Sequence, residues 1–400
     1  MKAARVLRFG PPSVISSDDV PRPEPGAGQL LVRVKAAGVG NWDALIREGT
    51  VQLQPLPLIL GAELSAIVED IGADVSGFNV GDQVYGATNA QFTGAYAEYA
   101  VPLARMIAPK PKSLGFVEAA SAPIVAVTAW QMLFDYARVT RGQTALILGA
   151  AGNVGAYAVQ LASDAGVHVI AVAGAAHRQY LTMLGAERVV DYTTECVEDA
   201  VSGVDVVIDT VGGEAQHRAL RALKRGGILV SAVSLVPEPL QEQYGVRATY
   251  FYVDVTNARL NTISELFDTG KLVTDVGTVL PLDKASLAHE MLGGAPHRRG
   301  KIVLSIRADG RSGAVARSLS ADDEAPRRQD RLSRASAADQ TCRRMVRRQL
   351  GYCEADRSAR SRRTARASGS QPGSPDCDLR RAGSPPHALR ALAELRGAHR

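Results

Sequence analysis

Eight residues, Leu148-Gly149-Ala150-Ala151-Gly152-Asn153-Val154-Gly155, constrain the fold of this chain more than any other stretch. They follow Thr144-Ala-Leu-Ile-Leu148, an apolar run that reads as a buried strand. They open a helix that runs from Val154 to Ala165 and closes at Gly166. Glycines at 149, 152 and 155 suit a tight turn, a close approach of backbone to a ligand, and close packing of helix on strand. A helix that begins there aims its free N–H groups and positive dipole end at whatever lies above the strand. A dinucleotide held by its pyrophosphate uses all of these at once. The spacing differs from GxGxxG, so the place of the turn, after a strand and before a helix, carries the inference.

The surrounding sequence repeats the same alternation. Val167-His-Val-Ile-Ala-Val172 reads as the next strand, and Arg178 to Leu184 as a helix stopped by Gly185. Arg188-Val-Val-Asp191 and Val204-Asp-Val-Val-Ile-Asp209 read as two more strands. Glu214 to Leu223 reads as a helix, Gly226-Gly227 as a turn, and Ile228-Leu-Val-Ser-Ala232 as a strand. Strands and helices in this order predict an α/β domain with a doubly wound parallel sheet, a Rossmann domain. Residues 1–110 differ. Leu30–Ala37, Ser65–Gly72, Gly77–Gly86 and Gly94–Val101 read as short strands and turns, which predicts a small, irregular β-barrel. Glu118 to Tyr136 is apolar and free of glycine, and reads as one helix. Beyond residue 262, a helix around Ser286–Leu292 and a strand Lys301–Ile306 complete the pattern.

The second strand of the array decides which nicotinamide cofactor suits the site. An NAD site places a carboxylate at that strand's end for the ribose 2′-OH. Here the strand ends Ala173-Gly174-Ala175-Ala176-His177-Arg178, with no acidic residue. Gly174 leaves room, and the Arg178 guanidinium can pair with a 2′-phosphate, with His177 beside it. This predicts NADPH.

Charge divides the chain in two. Its formal net charge is +5, yet residues 308–400 hold 20 Arg, no Lys and 11 acidic residues, and residues 1–307 hold 26 basic and 30 acidic ones. The basic excess therefore belongs to the final segment, and it gives no reason to seek a nucleic-acid partner for the body. That segment has no Ile, Phe or Trp, and it holds Cys342, Cys353 and Cys377. It cannot bury enough apolar area to offset the entropy of ordering, so it is expected to be disordered. Arg without Lys, with abundant Ala and Ser, reads as a GC-rich gene translated in a shifted frame, with a genuine linker and basic arm, or a nucleic-acid-binding segment, as the alternatives. The body has one cysteine, Cys196, which excludes an internal disulfide and a zinc cluster of four cysteines. Without an apolar leader or an uncharged apolar run of about 18 residues, it is expected to be cytoplasmic, with no membrane partner.

Several runs together resemble the zinc-independent quinone oxidoreductase branch of the medium-chain dehydrogenase/reductase superfamily. They are Gly38-Val-Gly-Asn-Trp-Asp43, Pro57-Leu-Ile-Leu-Gly-Ala-Glu63, Gly94-Ala-Tyr-Ala-Glu-Tyr99, Val127-Thr-Ala-Trp130 and the glycine turn. Leu184-Gly-Ala186, Val190-Asp-Tyr192, Asp209-Thr-Val-Gly-Gly213 and Arg299-Gly-Lys-Ile-Val-Leu304 follow in the same order. The resemblance implies a GroES-like β-barrel catalytic domain built from both ends of the body. Its boundaries are 1–118, a Rossmann NADPH-binding domain over 119–261, a return to the catalytic domain over 262–307, and the basic segment 308–400. It also implies a homodimer.

Zinc alcohol dehydrogenases of this superfamily carry a cysteine at the position of Gly40 and a histidine at that of Ala62, and neither residue here offers a ligand. The resemblance places Thr128 beside the nicotinamide, with Ala151, Gly152, Asn153 and Val154 along the pyrophosphate. Gly174, Arg178 and Tyr192 surround the adenosine phosphate end. Val211 and Ser231–Val233 lie along the cofactor, and Phe251 and Tyr252 near its nicotinamide end. The implied reaction is hydride transfer from NADPH to a quinone or an α,β-unsaturated carbonyl (enone). Relatives place an asparagine at Gly40 and a tyrosine after Asp43, where this chain has Ala44-Leu45-Ile46. Asn41, Asp43 and Tyr252 are the polar groups left for catalysis, with Asp43 equally suited to a structural hydrogen bond and water able to supply the proton. An enoyl-thioester reductase and a non-catalytic NADPH-binding sensor or structural protein are the rival readings.

Overall fold

Apolar residues dominate Leu30–Val39, and a strand with so few polar positions must be covered on both faces. In a computed structural model, which describes residues 1–51 and 54–306, this strand lies in the middle of a seven-stranded sheet of the GroES-like barrel half. The expectations for residues 308–400 lie outside the described residues. The strands of this half are β1 (Lys2–Val6), β2 (Ile15–Asp19), β3 (Leu30–Val39), β4 (Leu58–Ile59), β5 (Glu63–Ile71), β6 (Gln83–Ala87), β7 (Tyr99–Ala100) and β8 (Ile107–Pro109); β2, β1 and β4 form a small sheet of their own, and the others belong to the larger sheet. Helix α1 (Asn41–Glu48) leaves the end of β3. Its capping depends on Asp43, whose Oδ2 accepts the Gly40 N–H at 2.9 Å. The core of this half includes Val32, Val34, Leu60, Leu64, Tyr96 and Ile107.

The expected helix over 118–136 is divided. Helix α2 (Phe116–Ala120) ends before Pro123, which starts α3 (Pro123–Trp130) at its first position. Proline is tolerated there because that N–H has no intrahelical partner. A turn of wider π-helix, Gln131–Tyr136, then completes the segment.

The α/β array follows as β9 (Thr144–Leu148), α4 (Asn153–Asp164), β10 (His168–Ala173), α5 (Arg178–Met183), β11 (Arg188–Asp191), α6 (Val197–Ala200), β12 (Val204–Asp209), α7 (Gly213–Ala219), β13 (Leu223–Ser231), α8 (Glu238–Tyr244) and β14 (Arg247–Tyr250). These six strands form one sheet in the order β11-β10-β9-β12-β13-β14, and every pair is parallel. That is the doubly wound order, and it places a crevice at the C-terminal ends of the paired strands β9 and β12, where the connections leaving them run to opposite sides of the sheet. The expected turn at Gly226-Gly227 lies inside β13, where the pairing with β12 shifts register between Val204 and Val206. Gly226 takes φ +76°, so the glycine pair makes an irregularity within the strand.

After α9 (Asn257–Asp268) the chain returns to the barrel as β15 (Val276–Pro281), α10 (Ala285–Leu292) and β16 (Lys301–Ser305). Strand β16 pairs antiparallel with β3, with Ile302 opposite Val39. That sheet is therefore complete only when residues some 260 positions apart meet. The two halves are also tied by Tyr85, whose hydroxyl donates to the Leu260 carbonyl at 2.7 Å, and by Asn257, whose amide donates to Ile107 at 2.8 Å. No helix among the described residues is long and apolar enough to cross a membrane.

Candidate cofactor and active site

The glycine turn sits at the crevice end of β9. Gly149 has φ +69°, and a Cβ there would lie 2.5 Å from Thr210 Oγ1. A Cβ at Gly155 would lie 2.3 Å from the Gly149 carbonyl oxygen, so this glycine lets α4 lie against the turn. Gly152 is the N-cap of α4 and has no side chain to satisfy the helix start. The first backbone bond into the helix runs from Ala156 N–H to Gly152. The Asn153 and Val154 N–H groups ahead of it are among those at a helix start that have no intrahelical partner. The residues present fit a pyrophosphate.

At the end of β10, a Cβ on Gly174 would meet no atom within 4 Å. Arg178 opens α5, and its Nη1 donates to the Val189 carbonyl at 3.0 Å, which fixes one side of the guanidinium. Tyr192 is exposed at the end of β11. Asp191, which sequence reasoning did not single out, stands in the field of Arg178. The hydroxyl and N–H of Thr193 hold its carboxyl below the usual carboxylate range. It therefore reaches this corner from the third strand of the array, while the end of the second strand has no carboxylate.

Thr128 lies on α3, buried, with its hydroxyl donating to the Ile124 carbonyl at 2.7 Å. Val211 is partly exposed at the end of β12, and Val233 follows β13. Phe251 is buried in the core of the cofactor half, with its ring 4.5 Å from that of Tyr136. Tyr252 points the other way. It is half exposed, and its ring meets Tyr250 at 5.3 Å and Trp42 at 6.4 Å. Trp42 in turn meets Phe92 edge-on at 6.2 Å. The indole N–H of Trp42 is buried and has no hydrogen-bond partner. Trp42 and Phe92 come from the barrel and Tyr252 from the segment after β14, so this aromatic group joins the two halves.

Asn41 is exposed at the start of α1, whereas Asp43, two residues further along the same helix, is buried. Its Oδ2 takes the Tyr96 hydroxyl at 2.9 Å besides the Gly40 N–H, so its geometry is that of the structural hydrogen-bonder. Burial raises the Asp43 carboxyl to about 7. Nearby His289, whose Nδ1 meets the Arg47 guanidinium at 2.8 Å, is pushed down to about 3 by burial and by that cation.

The two shifts act on stability with opposite sign. Between about pH 4 and 6.5, Asp43 keeps a proton in the folded chain that it loses on unfolding, so its contribution falls as pH rises. His289 stays neutral when folded and gains a proton on unfolding, so its contribution falls as pH drops. Asp43→Asn should unmask the histidine, and urea unfolding should show stability declining on acidification more steeply than in the wild type. Parallel pH profiles would contradict this.

No local pattern in the sequence signals the pair beneath this site. Lys301 Nζ lies 2.5 Å from Glu63 Oε1, with both side chains almost fully buried. The other Glu63 oxygen accepts the Ile124 N–H, at the start of α3, at 2.8 Å. A Cβ built on Gly40 would lie 3.4 Å from Lys301 Nζ and near nothing else. Among the described residues, no group of three or more His, Cys, Asp or Glu could hold a metal ion.

A parallel sheet in doubly wound order, a glycine cradle at its crevice and a barrel facing that crevice define a nicotinamide-dependent oxidoreductase. Comparison with known proteins agrees. The family "Alcohol dehydrogenase GroES-like domain" matches residues 26–112, and "Zinc-binding dehydrogenase" matches residues 184–304. Quinone oxidoreductase from Mus musculus is 30% identical over 326 residues, covering 76% of this chain and 98% of that protein. The Sus scrofa quinone oxidoreductase is 31% identical over 324 residues, with the same coverage. Among solved structures, the quinone oxidoreductase of Coxiella burnetii is 34% identical with a TM-score of 0.72, covering 77% of this chain and 99% of that one. A mycobacterial protein solved in complex with NADPH is 30% identical with a TM-score of 0.70, covering 76% of this chain and 100% of its own. The chain belongs to the quinone oxidoreductases of the medium-chain dehydrogenase/reductase superfamily.

Proposed function

We propose that this protein is an NADPH-dependent reductase that transfers hydride to a quinone or an enone without zinc. The corner at Gly40 carries the reading. Gly40 and Ala62 offer no ligand, and the Lys301 ammonium already stands beside the space a Gly40 side chain would fill. Its ion pair with Glu63 already engages the carboxylate beside it. An acceptor that is already polarised, such as a quinone or an enone, needs no Lewis acid.

In this reading the domains are 1–118, 119–261 and 262–307, and the protein is a cytoplasmic homodimer. NADPH supplies the hydride. The turn Gly149–Gly155, with the N–H groups of Asn153 and Val154, holds its pyrophosphate. Thr128, Val211 and Val233 orient the nicotinamide end, and Gly174, Arg178 and Tyr192 receive the 2′-phosphate end. The acceptor ring lies by Trp42 and Tyr252, against the aromatic wall they form with Phe92. Tyr252, or water beside Asn41, returns a proton to the acceptor's oxygen.

Arg178→Ala tests the cofactor half of the proposal. Loss of a charge-assisted bond to phosphate should weaken NADPH about 10- to 100-fold and NADH less than about 2-fold, measured by fluorescence titration. Equal losses for the two cofactors would overturn the phosphate assignment.

A further inference from the structure

Asp209 is the last residue of β12, it is fully buried, and none of the roles above uses it. Its Oδ1 accepts the N–H groups of Val211 at 2.9 Å and Gly212 at 2.8 Å. Its Oδ2 accepts the Gln216 amide at 2.8 Å and the Ser231 hydroxyl at 2.7 Å. Ser231 Oγ accepts in turn the N–H groups of Val233 at 3.0 Å and Ser234 at 3.1 Å. The adjacent Thr210 hydroxyl donates to the Leu148 carbonyl at 2.8 Å, which ties the same loop to the end of β9. One carboxylate therefore laces together the loops that follow β12 and β13, at the edge of the crevice.

We infer that Asp209 is a positioning residue for the nicotinamide half of the cofactor, acting through the backbone of Val211 and Val233. This rests on the proposed reading of the site. A carboxylate presents only acceptors, and four donors converge on this one. An amide would turn an NH₂ group toward some of those donors and release at least one loop. The strand order confines the effect. The adenosine-end residues Gly174, Arg178 and Tyr192 follow β10 and β11, on one side of β9, whereas Asp209 and its loops lie on the other. Loosening them should cost the nicotinamide end and spare the adenosine end. A residue that merely held the fold together would affect both ends alike.

The test is calorimetric titration of the wild type and Asp209→Asn with NADPH and with adenosine 2′,5′-bisphosphate, which occupies the adenosine end alone. NADPH affinity should fall about 10- to 100-fold, and bisphosphate affinity should change less than about 2-fold. Equal loss of both ligands, or no loss in a folded variant, would overturn the inference. Should Asp209→Asn fail to fold, Ser231→Ala removes one donor and the relay to Val233. It should weaken NADPH about 5-fold, as one hydrogen bond allows, and leave the bisphosphate unchanged; unchanged NADPH binding would overturn the inference. A wild type that binds neither ligand would instead sink the cofactor reading itself.

Discussion

Replacing Lys301 by methionine is expected to cost the fold about 3–5 kcal/mol. The ammonium and the Glu63 carboxylate are both almost wholly removed from water, and each is the other's ion partner. Deleting the cation leaves a buried charge that the Ile124 N–H alone cannot satisfy. Urea unfolding measures the loss. The double variant Lys301→Met, Glu63→Gln should recover much of it, because a neutral amide does not need the ammonium. An additive or worse double variant would show that the pair is not what holds these elements. The effect should also reach the site. Glu63 joins the barrel to the first turn of α3, which carries Thr128.

The second large effect is expected at Gly155. An alanine Cβ there would meet the Gly149 carbonyl oxygen at 2.3 Å and Ala150 Cα at 2.7 Å. Both are backbone atoms, so no rotamer change relieves the clash, and α4 must move away from the turn. Stability should fall by about 1–3 kcal/mol. Displacing the Asn153 and Val154 N–H groups should weaken NADPH about 100-fold, as befits the loss of charge-assisted bonds. Gly174→Ala is the matched control. Its Cβ meets no protein atom within 4 Å, so the fold should tolerate it. Normal NADPH binding by folded Gly155→Ala would remove the turn from the cofactor site.

What could be read from the sequence was what neighbouring residues decide among themselves. The strand–glycine–helix unit at Thr144–Asp164 was legible because its period and its turn chemistry are local. The missing carboxylate after β10 was visible for the same reason. Lys301 and Glu63 were invisible as a pair, because each reads as an ordinary strand residue and only barrel closure brings them together. Asp43 was ambiguous until the structure placed Tyr96 against it. Trp42 and Phe92 were missed because a lone aromatic residue, at a helix start or in a turn, carries no periodic signal. Gly226-Gly227 misled because a glycine pair marks a turn and an irregular strand equally well.

Steady-state NADPH oxidation by the purified protein, with a panel of 1,4-naphthoquinone, 2-alkenals and an enoyl thioester, tests the proposed activity most directly. Saturable turnover of the quinone or the enal is expected, with NADPH strongly preferred over NADH. Tight NADPH binding with no turnover of any acceptor would contradict that activity.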